Sequence, residues 1–244
     1  MVLLATNCET ENMGERSMIP QIVSSRQLAQ YHGVKGLIYG DSGVGKTSLA
    51  ILAPYPLLIS AESGLLSLGR FDVPTWKITA LSELIDVYNF AKSSAEANHF
   101  QTIMVDSVSE VGEIVLADRM SKNKDPRQAY QQTNDMVLAI LKDFRDLPGK
   151  HIWFLAKMSN MEINPGERKF HPMMPGQKLT PNMPYLFDEV FFMGAKPPTA
   201  DGKSERFLLT QPDWNHVAKD RSGTLAPQEK PDLGAITKKI QGVV

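Results

Sequence analysis

The sequence predicts an α/β fold, a mostly parallel twisted sheet with helices on both faces. After residue 34, six short apolar runs alternate with helical patterns. The runs lack the polar alternation of half-exposed strands, as is typical of strands covered on both faces. They span residues 36–39, 57–61, 102–106, 151–156, 190–193 and 207–210. Strand–helix alternation of this kind favours parallel pairing through helical crossovers.

Helical spacing and helix-breaking residues place the connecting elements. Residues 47–53 end before a proline, and apolar residues recur at helical spacing over 81–88 and 137–144. A proline-rich segment, 159–184, is expected to form a long loop, and 216–221 a short strand. A short helix is expected over 232–240. We therefore predict an N-terminal arm and lead-in (1–33), an α/β core (34–225) and a C-terminal tail with a short helix (226–244).

The charge balance, the cysteine content and the length of the apolar runs limit which classes of protein the chain can belong to. The chain has 244 residues with 26 Lys plus Arg against 27 Asp plus Glu, so it lacks an overall basic field for nucleic acid. Its one cysteine, Cys8, cannot form an intramolecular disulfide, which fits a reducing cytoplasm. No apolar run is long enough to span a bilayer, so no membrane partner is expected. Trp76, Trp153 and Trp214 are expected to pack in the core or in loops.

A phosphate-binding loop follows the first strand. Residues 40–47 read Gly-Asp-Ser-Gly-Val-Gly-Lys-Thr, which matches G-x-x-x-x-G-K-[ST] between a strand and a helix. Its backbone N–H groups can surround phosphate oxygens, while the lysine supplies a charge and the threonine a Mg²⁺ ligand. The sequence therefore predicts binding of a nucleoside triphosphate with Mg²⁺. The expected contacts are Gly40, Asp41, Ser42, Gly43, Val44, Gly45, Lys46, Thr47 and Ser48.

Two acidic residues end later strands. Asp106 closes the run 102–106 and can reach Mg²⁺. Glu62 follows the run 57–61, at the edge where open α/β sheets bind ligands. A carboxylate there can deprotonate the attacking water, although a solvated acid or a helix cap is the alternative.

Several P-loop classes do not fit. Residues 123–126, Asn-Lys-Asp-Pro, have the wrong spacing for guanine recognition and no preceding strand. An LSGGQ-type signature and an arginine-rich lid are both absent from the sequence.

Three segments resemble the RecA family. Ser60-Ala-Glu62 is similar to the family's catalytic-glutamate strand. Residues 105–108, Val-Asp-Ser-Val, resemble its Walker B segment, and residues 218–223 resemble its Lys-x-Arg element. The resemblance implies that Glu62 is the catalytic base and that Lys219 and Arg221 reach the ATP of a neighbouring subunit. The molecule is then expected to self-associate, with ATP at the subunit interfaces. Lys157 stands at the position of the family's sensor residue.

The closest likeness is to phage-encoded minimal RecA-like proteins, including Sak-type single-strand annealing recombinases. It implies an oligomeric ATPase of DNA recombination or annealing in a bacterial host cytoplasm, with single-stranded DNA and a single-strand DNA-binding protein as partners. By the same likeness two loops contact DNA, near 119–130 and 159–180. Their candidate residues are Arg119, Lys122, Lys124, Arg127, Tyr130, Arg168, Lys169 and Lys178, with His171 in the second loop.

Two other functions remain open. One is a motor or helicase-loader ATPase that acts on protein partners without contacting DNA. The other is an assembly module, gated by nucleotide, whose hydrolysis is negligible. Stimulation of hydrolysis by DNA would favour the recombination protein.

Overall fold

The computed structural model describes residues 22–242 except 63, 176–178, 201 and 203. Residues 1–21 of the predicted arm and lead-in, and Lys178, therefore lie outside the described residues. The strands are β1 (Lys35–Tyr39), β2 (Pro56–Ser60), β3 (Thr75–Lys77), β4 (Thr102–Asp106), β5 (His151–Ala156), β6 (Met158–Asn164), β7 (Glu167–Pro172), β8 (Glu189–Ala195), β9 (Arg206–Leu209), β10 (Lys219–Asp220) and β11 (Gln228–Glu229). The α-helices are α1 (Ser25–His32), α2 (Leu81–Ser93), α3 (Val108–Lys122), α4 (Pro126–Arg145) and α5 (Leu233–Gln241).

Nine of the strands in the described residues form one sheet, in the order β11-β9-β8-β1-β5-β4-β2-β3, with β10 paired to β8. All pairs from β8 to β3 are parallel, whereas β9, β10 and β11 pair antiparallel. The predicted fold class is therefore confirmed. β1 lies in the middle of the sheet, so the segment that leaves its carboxyl end is surrounded by the ends of β5, β4 and β8.

Each face of the sheet is covered. Side chains alternate along β1, so Leu37 and Tyr39 join one core cluster while Ile38 joins the other. The first cluster packs against α2, α3 and α4. The second packs against a 3-10 helix, Thr47–Leu52, and against α5. β11 and α5 belong to the segment predicted as a C-terminal tail, and they extend the sheet and the second core cluster. No helix in the described ranges is long and apolar enough to cross a membrane.

The segment 159–184 is not the long loop that its prolines predicted. β6 and β7 pair over most of their length to form a hairpin. Pro165 and Gly166 make its turn, with Gly166 at φ 81°. Proline followed by a glycine at positive φ is the combination that a type II turn requires, so these residues close a hairpin instead of breaking a strand. A 3-10 helix, Thr180–Leu186, follows.

One other local prediction was wrong, and two were confirmed in part. Residues 119–130 are not a loop but the junction of two helices, because α3 runs to Lys122 and Asp125 caps the N-terminus of α4. The helix expected after the phosphate loop is present, but as a 3-10 helix. Within the strand predicted over 216–221, His216 makes an isolated bridge to Phe170, and Lys219 and Asp220 form β10.

The raised pKa of Glu189, which pairs with β10, predicts how the stability of the fold depends on pH. This carboxylate is buried at the start of β8, opposite Asp220, and burial followed by the charge of Asp220 raises its pKa to about 8. A raised folded-state pKa means that stability falls as pH rises from about 4.5 to about 8, because only the unfolded state releases the proton easily. The change in Tm that Glu189→Gln causes relative to wild type should therefore be about 3–6 °C more positive at pH 8 than at pH 4, as measured by thermal melts.

Glu205→Gln is the matched control. Glu205 is exposed and its hydrogen bond to Lys196 lowers its pKa, so its removal should not raise Tm at pH 8. An equal effect of Glu189→Gln at pH 4 and pH 8 would contradict the buried-acid account.

Candidate active site

The phosphate loop leaves the carboxyl end of β1. All five residues of β1 are buried, which fixes the point from which the loop starts. Within the loop, Gly43 has φ 77° and Gly45 has φ 101°, conformations that favour glycine. The Lys46 ammonium donates hydrogen bonds to the carbonyls of Gly40 (2.9 Å) and Asp41 (2.8 Å) and so spans the loop. Burial lowers the pKa of Lys46, while the charges of Asp106 and Glu62 oppose that shift.

Thr47 and Asp106 meet at the same edge of the sheet. The Thr47 hydroxyl donates to Asp106 Oδ2 at 2.5 Å, across the end of β5. Asp106 is 2% exposed, and burial raises its pKa although the Thr47 hydrogen bond opposes this. A hydroxyl and a buried carboxylate side by side supply the oxygen ligands that Mg²⁺ prefers. These two residues therefore fit a Mg²⁺ ion and would hold it.

Glu62 lies beside this pair. β2 and β4 are parallel neighbours with Ser60 opposite Asp106, so Glu62 and Ser107 leave the sheet at the same edge. Ser107, the N-cap of α3, donates its hydroxyl to Glu62 Oε1 at 2.8 Å. Ser60 donates its hydroxyl to the Glu62 carbonyl at 2.9 Å. Glu62 is thus a positioned carboxylate and not a helix cap.

Lys157 follows β5 at this edge and pairs with Glu110 of α3. Its hydrogen bond to Glu110 raises the pKa of the Lys157 amine. The backbone N–H of Lys157 donates to the Ser109 hydroxyl at 3.0 Å. Lys157 thus connects the end of β5 to the first turn of α3.

Lys219 and Arg221 are not brought to the phosphate loop of their own chain. Lys219 is half-buried and its ammonium donates to the carbonyls of Pro184 and Phe187. Arg221 forms an ion pair with Asp188 at 2.7 Å, and its side chain is 63% exposed. Of the two, Arg221 has the side chain that solvent can reach.

β8 separates these cations from the loop. Lys219 pairs with Val190, near the start of β8, whereas Gly40 packs against the Met193 carbonyl near its end. The strand from Val190 to Ala195 spans roughly 16 Å. At the amino edge, Arg221 lines a cleft of about 980 Å³ together with Arg26, Lys35 and Arg145.

The candidate DNA residues divide between two elements. Arg119 and Lys122 both pair with Asp118 on α3, while Lys124, Arg127 and Tyr130 lie at the junction of α3 and α4. On the β6–β7 hairpin, Arg168 Nε donates a hydrogen bond to Asn160 Oδ1 at 3.0 Å. Lys169 Nζ lies 3.5 Å from Glu167 Oε1. Most of these cations therefore have partners already.

Trp214 differs from its prediction as a packing residue. Trp153 is fully buried, but Trp214 is 91% exposed. The next residue, Asn215, accepts a hydrogen bond from the Phe170 N–H (2.6 Å), and His216 stacks between Phe170 and Phe192. The exposed indole is therefore held beside the hairpin.

Arg206 is a residue that motif analysis did not identify. It begins β9, opposite Ala195, and its guanidinium lies against Gly45 of the phosphate loop. In the sequence it belongs to a polar segment between two strands, Lys-Ser-Glu-Arg over 203–206, which matches no motif. Only the register of β8 and β9 reveals its position.

Among the comparisons with known proteins, one family model matches most of the chain. A search of curated proteins found no match. A KaiC-like protein of the hyperthermophilic archaeon Pyrococcus horikoshii OT3 is similar in structure at 14% identity, with a TM-score of 0.40 over 72% of this chain and 77% of that one. A family model described as AAA domain matches residues 32–222, which include the phosphate loop, Glu62, Asp106 and Arg221. The chain therefore belongs to the AAA-domain family, with a P-loop NTPase fold built on a mostly parallel α/β sheet.

Proposed function

We propose that this protein binds Mg²⁺–ATP at residues 40–48 and hydrolyses it as an oligomer that acts on single-stranded DNA in recombination or annealing. One observation carries the ATPase part of the proposal. Lys46, the Thr47–Asp106 pair and the Ser107-bound Glu62 all lie at the carboxyl edge of one sheet. They provide a phosphate charge, metal ligands and a base, which are the parts that phosphoryl transfer to water needs.

Each residue has a separate task in that reaction. Lys46 exchanges its two carbonyl partners for phosphate oxygens, and the loop N–H groups surround the phosphate chain. Mg²⁺, when bound, neutralises charge on the phosphates. The Ser107 hydroxyl occupies Glu62 Oε1, which leaves Oε2 to accept the proton of the attacking water. Positioning of Glu62 thus depends on the N-cap of α3.

Glu62→Gln separates binding from hydrolysis. The amide keeps the shape and the Ser107 contact but cannot take a proton, so ATP affinity should stay within about twofold while kcat falls about 10²–10⁴-fold. Affinity is measured by calorimetry and kcat by phosphate release. Lys46→Ala should instead lose ATP binding. Wild-type turnover by Glu62→Gln would return this residue to the role of a solvated acid.

The position of Arg221 supports action on a neighbouring subunit. Arg221 lies at the amino edge of the sheet, opposite its own phosphate loop, and lines a cleft of about 980 Å³ that contains three other cations and the carboxyl groups of Asp146, Asp188 and Glu189. A triphosphate in that cleft would come from another copy of the chain. Lys219 is less suited to a test, because its bonds to Pro184 and Phe187 hold the preceding 3-10 helix.

Mixing two inactive variants tests this arrangement. Arg221→Ala removes the donated cation and Glu62→Gln removes the base, so each alone should be inactive. Mixed oligomers contain interfaces with an intact Glu62 and an intact Arg221, and random assembly of a 1:1 mixture should recover about a quarter of wild-type activity. Phosphate release is measured with mixed assembly confirmed by mass. No recovery in confirmed mixed oligomers would contradict action in trans.

The support for DNA binding is the exposed indole beside the hairpin. An aromatic ring next to the cations Arg168 and Lys169 can stack a base while they contact the backbone. Because Lys169 pairs with Glu167, less of its charge is available to a phosphate backbone, and the second candidate is an ATPase that acts on a protein partner.

DNA titrations separate these candidates. Trp214→Ala should weaken binding of a single-stranded oligonucleotide about 5–100-fold, and Arg168→Glu with Lys169→Glu should reduce the salt slope by up to about two. Fluorescence anisotropy at several salt concentrations measures both. Lys142→Ala, which removes an exposed charge from α4, is the control and should leave binding unchanged. Wild-type protein that binds no DNA would favour the protein-directed ATPase.

A further inference from the structure

The guanidinium of Arg206 occupies the space beside Gly45 in the phosphate loop. A methyl group added at Gly45 would come within 2.9 Å of Arg206 Cζ, so the two residues are in direct contact. The contact follows from strand register. β9 pairs antiparallel with β8 so that Arg206 lies opposite Ala195, at the edge from which the loop leaves β1.

The guanidinium of Arg206 has no hydrogen-bond or ion-pair partner among residues 22–62, 64–175, 179–200, 202 and 204–242. Arg145 and Arg221, by contrast, each pair with an aspartate. Arg206 is exposed to solvent at the start of β9, so its guanidinium is free to bind an anion beside the loop. Its planar N–H donors match phosphate oxygens.

We infer that Arg206 is a phosphate-binding residue that contacts the triphosphate from within the same chain. Gly45 belongs to the part of the loop whose N–H groups surround phosphate, so a guanidinium in contact with Gly45 reaches the phosphate chain. Lys46 and Arg206 then hold the phosphates from the two sides of the loop. Arg206 differs in this from Arg221, which lies at the other edge of the sheet. The inference rests on the proposed nucleotide site at residues 40–48.

Binding measurements with two ligands test this role. Arg206→Ala should weaken Mg²⁺–ATP binding about 10–100-fold, as expected for loss of a charge-assisted hydrogen bond, and Arg206→Lys should recover part of the loss. Inorganic tripolyphosphate with Mg²⁺ has no base or ribose, so Arg206→Ala should weaken its binding by a similar factor. Both are measured by calorimetry on the full-length chain, with circular dichroism to check the fold. Lys142→Ala is the control for a lost surface charge.

Other outcomes would overturn the inference. Affinities within about twofold of wild type for both ligands would make Arg206 a packing residue. If Arg206→Ala weakened the binding of ATP but not of tripolyphosphate, Arg206 would be a nucleobase contact. Failure of the wild-type protein to bind tripolyphosphate would also contradict the inference. The nucleotide site itself is judged separately, because wild-type binding of ATP and its loss in Lys46→Ala do not depend on Arg206.

Discussion

The hydrogen bond between Thr47 and Asp106 is the interaction on which the site depends. It joins the loop that follows β1 to the end of β4, two strands away across β5. Asp106 is buried and its pKa is raised, so its charge is costly unless a hydroxyl or a cation compensates it. Lys46, the next residue to Thr47, is close enough for its charge to lower that pKa. The same two oxygens fit Mg²⁺, so one pair of side chains both closes the loop onto the sheet and prepares the metal site.

The polarity of the parallel sheet places the candidate site residues at two different edges. Lys46, Asp106 and Glu62 lie at the carboxyl ends of β1, β4 and β2, where a ligand meets loops instead of strand backbone. Arg221 lies at the amino end of β8, held by Asp188. A site that uses both edges needs two copies of the chain. The proposed dependence of hydrolysis on assembly thus follows from strand direction.

The sequence predicted the centre of this structure better than its periphery. The bounds of β4 and β5 and the Lys46, Thr47, Asp106 and Glu62 constellation could be predicted, because buried strands and phosphate loops constrain several neighbouring residues at once. The hairpin around Pro165 was missed because proline and glycine signal loops and tight turns alike. Arg206 was missed for a different reason. Its place against Gly45 depends on the register of β8 and β9, which no local pattern contains.

A crystal structure of the full-length protein with Mg²⁺ and a non-hydrolysable ATP analogue would test the central claim most directly. We expect phosphates enclosed by residues 40–48, Lys46 turned from the Gly40 and Asp41 carbonyls to phosphate oxygens, and the metal held by Thr47 and Asp106. We also expect the Glu62 carboxylate to face the terminal phosphate. A nucleotide bound elsewhere, or Lys46 still bonded to both carbonyls with nucleotide present, would contradict that claim.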